Sequence, residues 1–159
     1  MANTYTLDDK GQKVVWSGAV TDVHTTQKEV IGSTRFHGMK VYRYHKFDQG
    51  AIAAVSGNVV MFKAGTQDLV TSDTSAADAA AVVAGVLVSA PADGQFCWVQ
   101  CRGPATLNTA LAGSPGAGDA LIAGTDGAAT KATADILHMA FATVSVVATK
   151  VVWLHSVAS

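Results

Sequence analysis

Gly94-Gln95-Phe96-Cys97-Trp98-Val99-Gln100-Cys101-Arg102-Gly103-Pro104 is the stretch on which the reading of this chain turns. Pro91-Ala92-Asp93-Gly94 before it has turn composition. Gly103-Pro104 after it predicts the end of the run, because proline cannot donate to a ladder. Side chains alternate along a strand, so Phe96, Trp98, Gln100 and Arg102 share one face and Gln95, Cys97, Val99 and Cys101 share the other. Both faces carry bulky apolar groups, which predicts a central strand with Phe96 and Trp98 among the most buried side chains.

Working outward, short strands recur. Met39 to Phe47 alternates Val41, Arg43 and His45 against Lys40, Tyr42, Tyr44 and Lys46, a tyrosine-rich pattern that favours a strand. Upstream, Gly32-Ser33-Thr34-Arg35 and Phe36-His37-Gly38 read as turns, and residues 18–31 show no clear period. Further strands are predicted at 59–63, 69–71, 82–88 (with Gly85 as a bulge), 105–108, 119–124, 136–143 and 148–155. Thr125-Asp126-Gly127 is a hairpin signal. Residues 72–81 read as a helical turn capped by Ser72 or Thr74, or as a loop. Short strands with glycine-rich turns predict an all-β fold, a small β-barrel or β-sandwich. Residues 32–159 would form that domain, and residues 1–31 an extended N-terminal arm with a short strand.

Composition narrows the function. The chain has 159 residues, which suits one domain plus an arm. A chain of this size buries roughly 70% of its unfolded surface without a staple. Net charge is −1, and only three arginines are present, which argues against a nucleic-acid partner. Charged residues make up 14%, against about 25% in ordinary soluble domains. So weakly charged a surface suits a protein that lives against other protein, or simply a small alanine-rich β protein. No export signal is read at the start, and no run reaches the ~18 apolar residues of a membrane helix, so a soluble protein made in a cytoplasm is expected.

The reactive residues form no catalytic pattern. Cys97 and Cys101 share a strand face but stand roughly 13 Å apart at strand rise. A disulfide needs Cα atoms within about 7 Å, so two buried free thiols are expected. His24, His37, His45, His138 and His155 are scattered, with no His-x-His pair for a metal. No Gly-x-Ser-x-Gly elbow occurs. Gly113-Ser114-Pro115-Gly116-Ala117-Gly118 lacks the Lys-Ser/Thr ending and following helix of a phosphate loop. Aspartates stand at turns, and Glu29 is the only glutamate. Tyr42, Tyr44, Phe96 and Trp98 leave open a stacking platform for sugars or bases. No catalytic residue, cofactor or metal is predicted. In the arm, Trp16 reads either as a core residue or as an anchor on a partner.

The block Gly85-Val86-Leu87-Val88 followed by Gly94-Gln95-Phe96-Cys97-Trp98-Val99-Gln100-Cys101-Arg102-Gly103-Pro104-Ala105 resembles a recurring feature of small virion proteins of tailed bacteriophages. There a Gly-Val strand precedes a G-x-[FY]-x-W-V-Q-x-x-G-x-A strand. Gly118-Asp119-Ala120-Leu121, the Asp126-Gly127 hairpin and a late closing strand resemble the block's continuation. Gly32 to Arg35 and Gly38 to Tyr44 resemble the front half. The resemblance spans residues 32–155 and implies a capsid decoration (cement) or minor head protein with no active site. It implies a homotrimer that binds the major capsid protein of a bacteriophage on the outside of the head, with no nucleic acid or membrane partner. Tyr5, Leu7, Val14, Val15 and Trp16 would be the apolar capsid-contacting anchors of an arm that spans up to about 55 Å extended. The competing reading is a small β-barrel ligand-binding module or cupin-like enzyme, which would need clustered histidines and carboxylates.

Overall fold

The computed structural model describes residues 18–63, 66–74, 82–109, 111–133, 140–142 and 151–155. Among these are ten strands and no helix, an all-β fold as predicted. Five strands close into a ring. β2 (Lys40–Phe47), β4 (Thr66–Thr71), β3 (Val59–Lys63), β5 (Val83–Leu87) and β6 (Phe96–Thr106) pair in that order, and β6 pairs back onto β2. The β2–β4 pair is parallel and the other four are antiparallel.

The alternation along β6 sorts its side chains into separate cores. Cys97 and Val99 point into the ring with Phe47, Val60, Val70, Ala84 and Leu87, so all five strands contribute to one filled interior. Trp98 points outward and packs with Tyr42 and Tyr44. Trp98 is fully buried. Phe96 is only half-buried, contrary to expectation, because it opens the strand at the margin of that aromatic cluster, beneath the Lys46 ammonium.

Gly103-Pro104 does not end β6. The strand runs on to Thr106 and changes partners there. A bulge sits between Val41 and Tyr42 opposite Cys101, after which β6 leaves β2 and pairs with β10 (Val151–Leu154), from Leu154↔Gly103 to Val151↔Thr106. Gly103 has φ +89°, and a Cβ there would collide with the Met39 carbonyl. Gln100 braces the crossing: its Nε2 donates to the carbonyls of Arg102 (3.2 Å) and Pro104 (2.8 Å). Pro104 is tolerated because β2 and β5 no longer flank the strand at that point. Of the strand predicted at 105–108, Ala105 and Thr106 are the last residues of β6, and Leu107 and Asn108 lie beyond its end.

From β10 a second sheet continues through β9 (Ala140–Ala142) and β7 (Ala120–Ala123) to β8 (Ala129–Lys131). Its inner residues Leu121, Ala129, Val152 and Leu154 pack on Val59, Met61, Val83 and Val86, the outer face of β3 and β5. β7 and β8 form the predicted hairpin, with Asp126 and Gly127 both at positive φ. β5 carries a bulge beside Gly85, as expected: Val60 faces Gly85 and Met61 faces Val83, which leaves Ala84 as the extra residue. The short strand expected at 69–71 is the end of the longer β4. The alternative helical turn falls partly on residues 75–81, outside the described residues.

Residues 34–37, read as turn, are instead β1 (Thr34–His37), paired antiparallel with the start of β2. β1 and β4 share one edge of β2: β1 takes the Lys40 end and β4 the Phe47 end. Gly38 and Met39 form the tight turn between β1 and β2. Gly38 has φ +58° and Met39 a negative φ, the pattern of a type II′ hairpin with glycine at its first central position.

Candidate interaction surface

Two regions on β2 carry the chain's distinctive side chains. The first is the outer aromatic face. Tyr44 lies 5.0 Å from Trp98 and 6.0 Å from Phe96, ring centre to ring centre. The stacking residues are therefore brought together as the sequence suggested. They are nevertheless covered: Tyr42, Tyr44 and Trp98 are buried beneath residues 18–33. Residues 18–31, assigned to the arm for want of a clear period, pack with Gly32 and Ser33 against the ring. His24 exchanges backbone hydrogen bonds with Phe96 at 2.9 and 2.8 Å, and Gly32 N–H donates to the Tyr44 carbonyl at 2.8 Å. Tyr44 Oη lies 2.9 Å from His24 Nδ1 and accepts the Lys28 N–H.

A buried ion pair completes the cover. Glu29 is almost fully buried, with Arg35 Nη2 3.6 Å from its Oε1. The Arg35 guanidinium sits 4.3 Å above the Trp98 ring, a cation–π contact, and its Nη1 donates to the Gly18 carbonyl. The aromatic face is a core with a polar clasp, closed to a sugar or base. No local signal in residues 18–31 announces this, because the clasp bonds of Tyr44 to His24 and Lys28 and of Arg35 to Gly18 join residues 16 to 20 positions apart.

The ring interior holds the titratable groups with the largest shifts. His45 is paired opposite Cys97, packs edge-on against Phe62 at 5.4 Å, and has no hydrogen-bond partner among the described residues for either ring nitrogen. Burial, with the Arg43 charge adding to it, lowers its pKa to about 4. Burial pushes the Cys97 thiol up to about 12 and raises Cys101 as well. Both thiols are free and buried, as expected, and Cys101 Sγ donates to the Val41 carbonyl at 3.4 Å. Burial thus disfavours the thiolate, the nucleophilic form, at both positions. Among the described residues no group of three or more His, Cys, Asp or Glu could hold a metal ion. The Gly113 to Gly118 segment is a loop in which Asp119 accepts the Gly116 N–H at 2.6 Å and pairs with Lys131 at 2.7 Å. Those two partners hold the Asp119 carboxyl below the usual range.

The second region is the β1–β2 hairpin tip. Phe36 is 77% exposed and Met39 66%, the most exposed large apolar side chains among the described residues. Phe36 faces Val41 across the hairpin, and His37 faces Lys40. Sequence reading as a turn missed this surface. The signal was present in Gly38, whose position between Phe36-His37 and Met39-Lys40 fits a II′ turn. The anchors Tyr5, Leu7, Val14, Val15 and Trp16 lie outside the described residues, as does His138. No family model matches the chain, and neither a curated protein nor a solved structure matches it.

Proposed function

We propose that this protein is a capsid decoration (cement) protein of a tailed bacteriophage, without catalytic activity or cofactor. It binds the outside of the head as a homotrimer and ties neighbouring copies of the major capsid protein together. It is made in the host cytoplasm and ends on the virion, with no nucleic acid or membrane partner. The observation that carries this reading is where the reactive side chains go. Cys97, Cys101 and His45 are packed inside, and Glu29 is tied to Arg35, while apolar Phe36 and Met39 stand in solvent. The chemistry-bearing groups thus build the fold, and the exposed groups suit contact with protein. The Trp98 block that carries the resemblance supports the same reading, since it supplies the strand shared by both sheets.

Low charge leaves apolar patches that oligomer contacts would cover, and cyclic symmetry is the usual way to cover them. Threefold symmetry matches the local threefold positions between capsomers on an icosahedral shell. Residues 1–17 would reach a neighbouring subunit through Tyr5, Leu7, Val14, Val15 and Trp16. Sedimentation equilibrium tests the oligomer, and co-sedimentation with shells of the major capsid protein encoded in the same genome tests the partner. The expected results are a three-chain mass and saturable shell binding that weakens when residues 1–17 are deleted. A monomer that leaves shells in the supernatant overturns the reading.

A further inference from the structure

The chain's charge is segregated along β2. Between Val30 and Phe47 the sequence holds Arg35, Lys40, Arg43, Lys46, His37 and His45 and no carboxylate. Lys40 and His37 face each other across the hairpin, and Arg102 faces Val41 from β6. His37 and Arg102 are exposed and Lys40 is half-buried. None of the three has an ion-pair partner among the described residues. The carboxylates gather at the other end of β2. There Asp48 pairs with Lys63 at 2.6 Å, Asp73 accepts the Ala51 N–H at 2.6 Å and Asp93 accepts the Gln49 N–H at 3.0 Å. The hairpin end is therefore cationic as well as apolar.

The tip is also held in a fixed pose. Its turn is of the tight II′ kind, and Met39 lies against Gly103 where β6 leaves the ring. Because β1 occupies only the Lys40 end of the β2 edge, the hairpin extends past the point where β4 closes the ring. Residues 1–17 enter the described domain at Gly18, whose carbonyl is held by Arg35, one residue before Phe36. Arg35 and Phe36 are neighbours on β1 and their side chains leave opposite faces, so the Gly18 contact and the Phe36 side chain lie on opposite sides of the hairpin. A symmetric tip-to-tip contact between two copies would set like charges against each other, which disfavours self-association through this face.

We infer that the β1–β2 hairpin tip is a docking element, with Phe36 and Met39 entering an apolar socket rimmed by carboxylates on the outer surface of the phage shell. This role presupposes the shell binding proposed above, and it adds a second contact to the one proposed for residues 1–17. Phe36 and Met39 supply the desolvated anchors, and Lys40 and Arg102 supply the charged rim that steers and orients the encounter.

The test measures affinity for shells assembled from the major capsid protein of the same genome, by co-sedimentation at two salt concentrations. Four proteins are compared: the native chain, the chain lacking residues 1–17, the Phe36→Ser/Met39→Ser double variant, and Lys40→Glu/Arg102→Glu. The apolar double variant is expected to bind at least about tenfold more weakly, as loss of hot-spot anchors does, with an unchanged thermal midpoint. The charge-reversal variant is expected to lose affinity at low salt and to converge on the native value at high salt. If the native chain binds shells and the apolar double variant binds equally well, the docking role of the tip is wrong and shell binding stands. If the native chain binds no shells, the shell reading itself fails and takes the docking role with it. Binding of the native chain to phosphatidylcholine–phosphatidylglycerol vesicles, abolished by Phe36→Ser/Met39→Ser, would assign the tip to a membrane and overturn a protein socket.

Discussion

The outer aromatic face and the hairpin tip share strand β2, yet one is sealed and the other bare. At Tyr44 and Trp98 the aromatic rings are roofed by residues 18–33 and clasped by His24, Lys28, Glu29 and Arg35. At Phe36 and Met39, less than the length of one strand away, nothing among the described residues covers comparable apolar groups. An aromatic on a strand is thus not by itself evidence of a binding platform. What decides is whether another part of the chain lies over it.

The comparison breaks first at Trp98. Trp98→Ala removes a fully buried ring from the junction of β2, β6 and the roof, and should cost about 3–5 kcal/mol in chemical denaturation. An unchanged unfolding midpoint would mean that the roofed face is not a core.

Acid should expose the next largest effect, inside the ring. His45 titrates near its ordinary value of 6.5 when unfolded and at about 4 when folded. The folded state therefore favours the neutral ring, so this contribution is fully present above pH 6.5 and is lost as pH falls toward 4. The loss amounts to about 3 kcal/mol by linkage. Denaturation of the native chain and of His45→Leu between pH 7 and 4 should show a shallower pH dependence in the variant. Parallel curves would place His45 in water.

The clasp should be worth less. Tyr44→Phe keeps the ring but removes the oxygen that meets His24 Nδ1 and the Lys28 N–H, for a cost of about 1–2 kcal/mol. Hydrogen exchange should accelerate across residues 18–33, and an unaltered exchange pattern there would mean the roof is held by apolar packing alone. At the tip the expected stability effect is smallest. Phe36→Ser and Met39→Ser should each lie within about 0.5 kcal/mol of the native chain, as exposed positions do. A large loss at either would show that the tip belongs to the core.

Much of the fold was legible in local pattern. The alternation of Cys97, Val99 and Trp98 has a period of two and correctly sorted two cores, and Asp126-Gly127 marked its hairpin by turn chemistry alone. The misreadings share a different origin. Gly103-Pro104 looks like a stop because a strand's change of partner from β2 to β10 is a property of two distant segments. Residues 18–31 looked featureless because a roof needs no periodicity, only the reach of His24 to Tyr44 and of Glu29 to Arg35. The burial of Trp98 follows from its central strand, but that of Tyr42 and Tyr44 could not be separated from an open platform for the same reason. Phe36 and Met39 escape a local reading because Phe36-His37-Gly38 reads as plain turn material, while Gly38 is the first central residue of a tight hairpin turn.

Cementing is the central claim, and heat tests it most directly. Shells of the major capsid protein encoded in the same genome are heated with and without saturating amounts of this protein, and their rupture is followed by light scattering. Decorated shells should rupture at a higher temperature, and the increment should shrink when residues 1–17 are deleted. Shells that carry the bound protein and rupture at the same temperature as bare ones would contradict the claim.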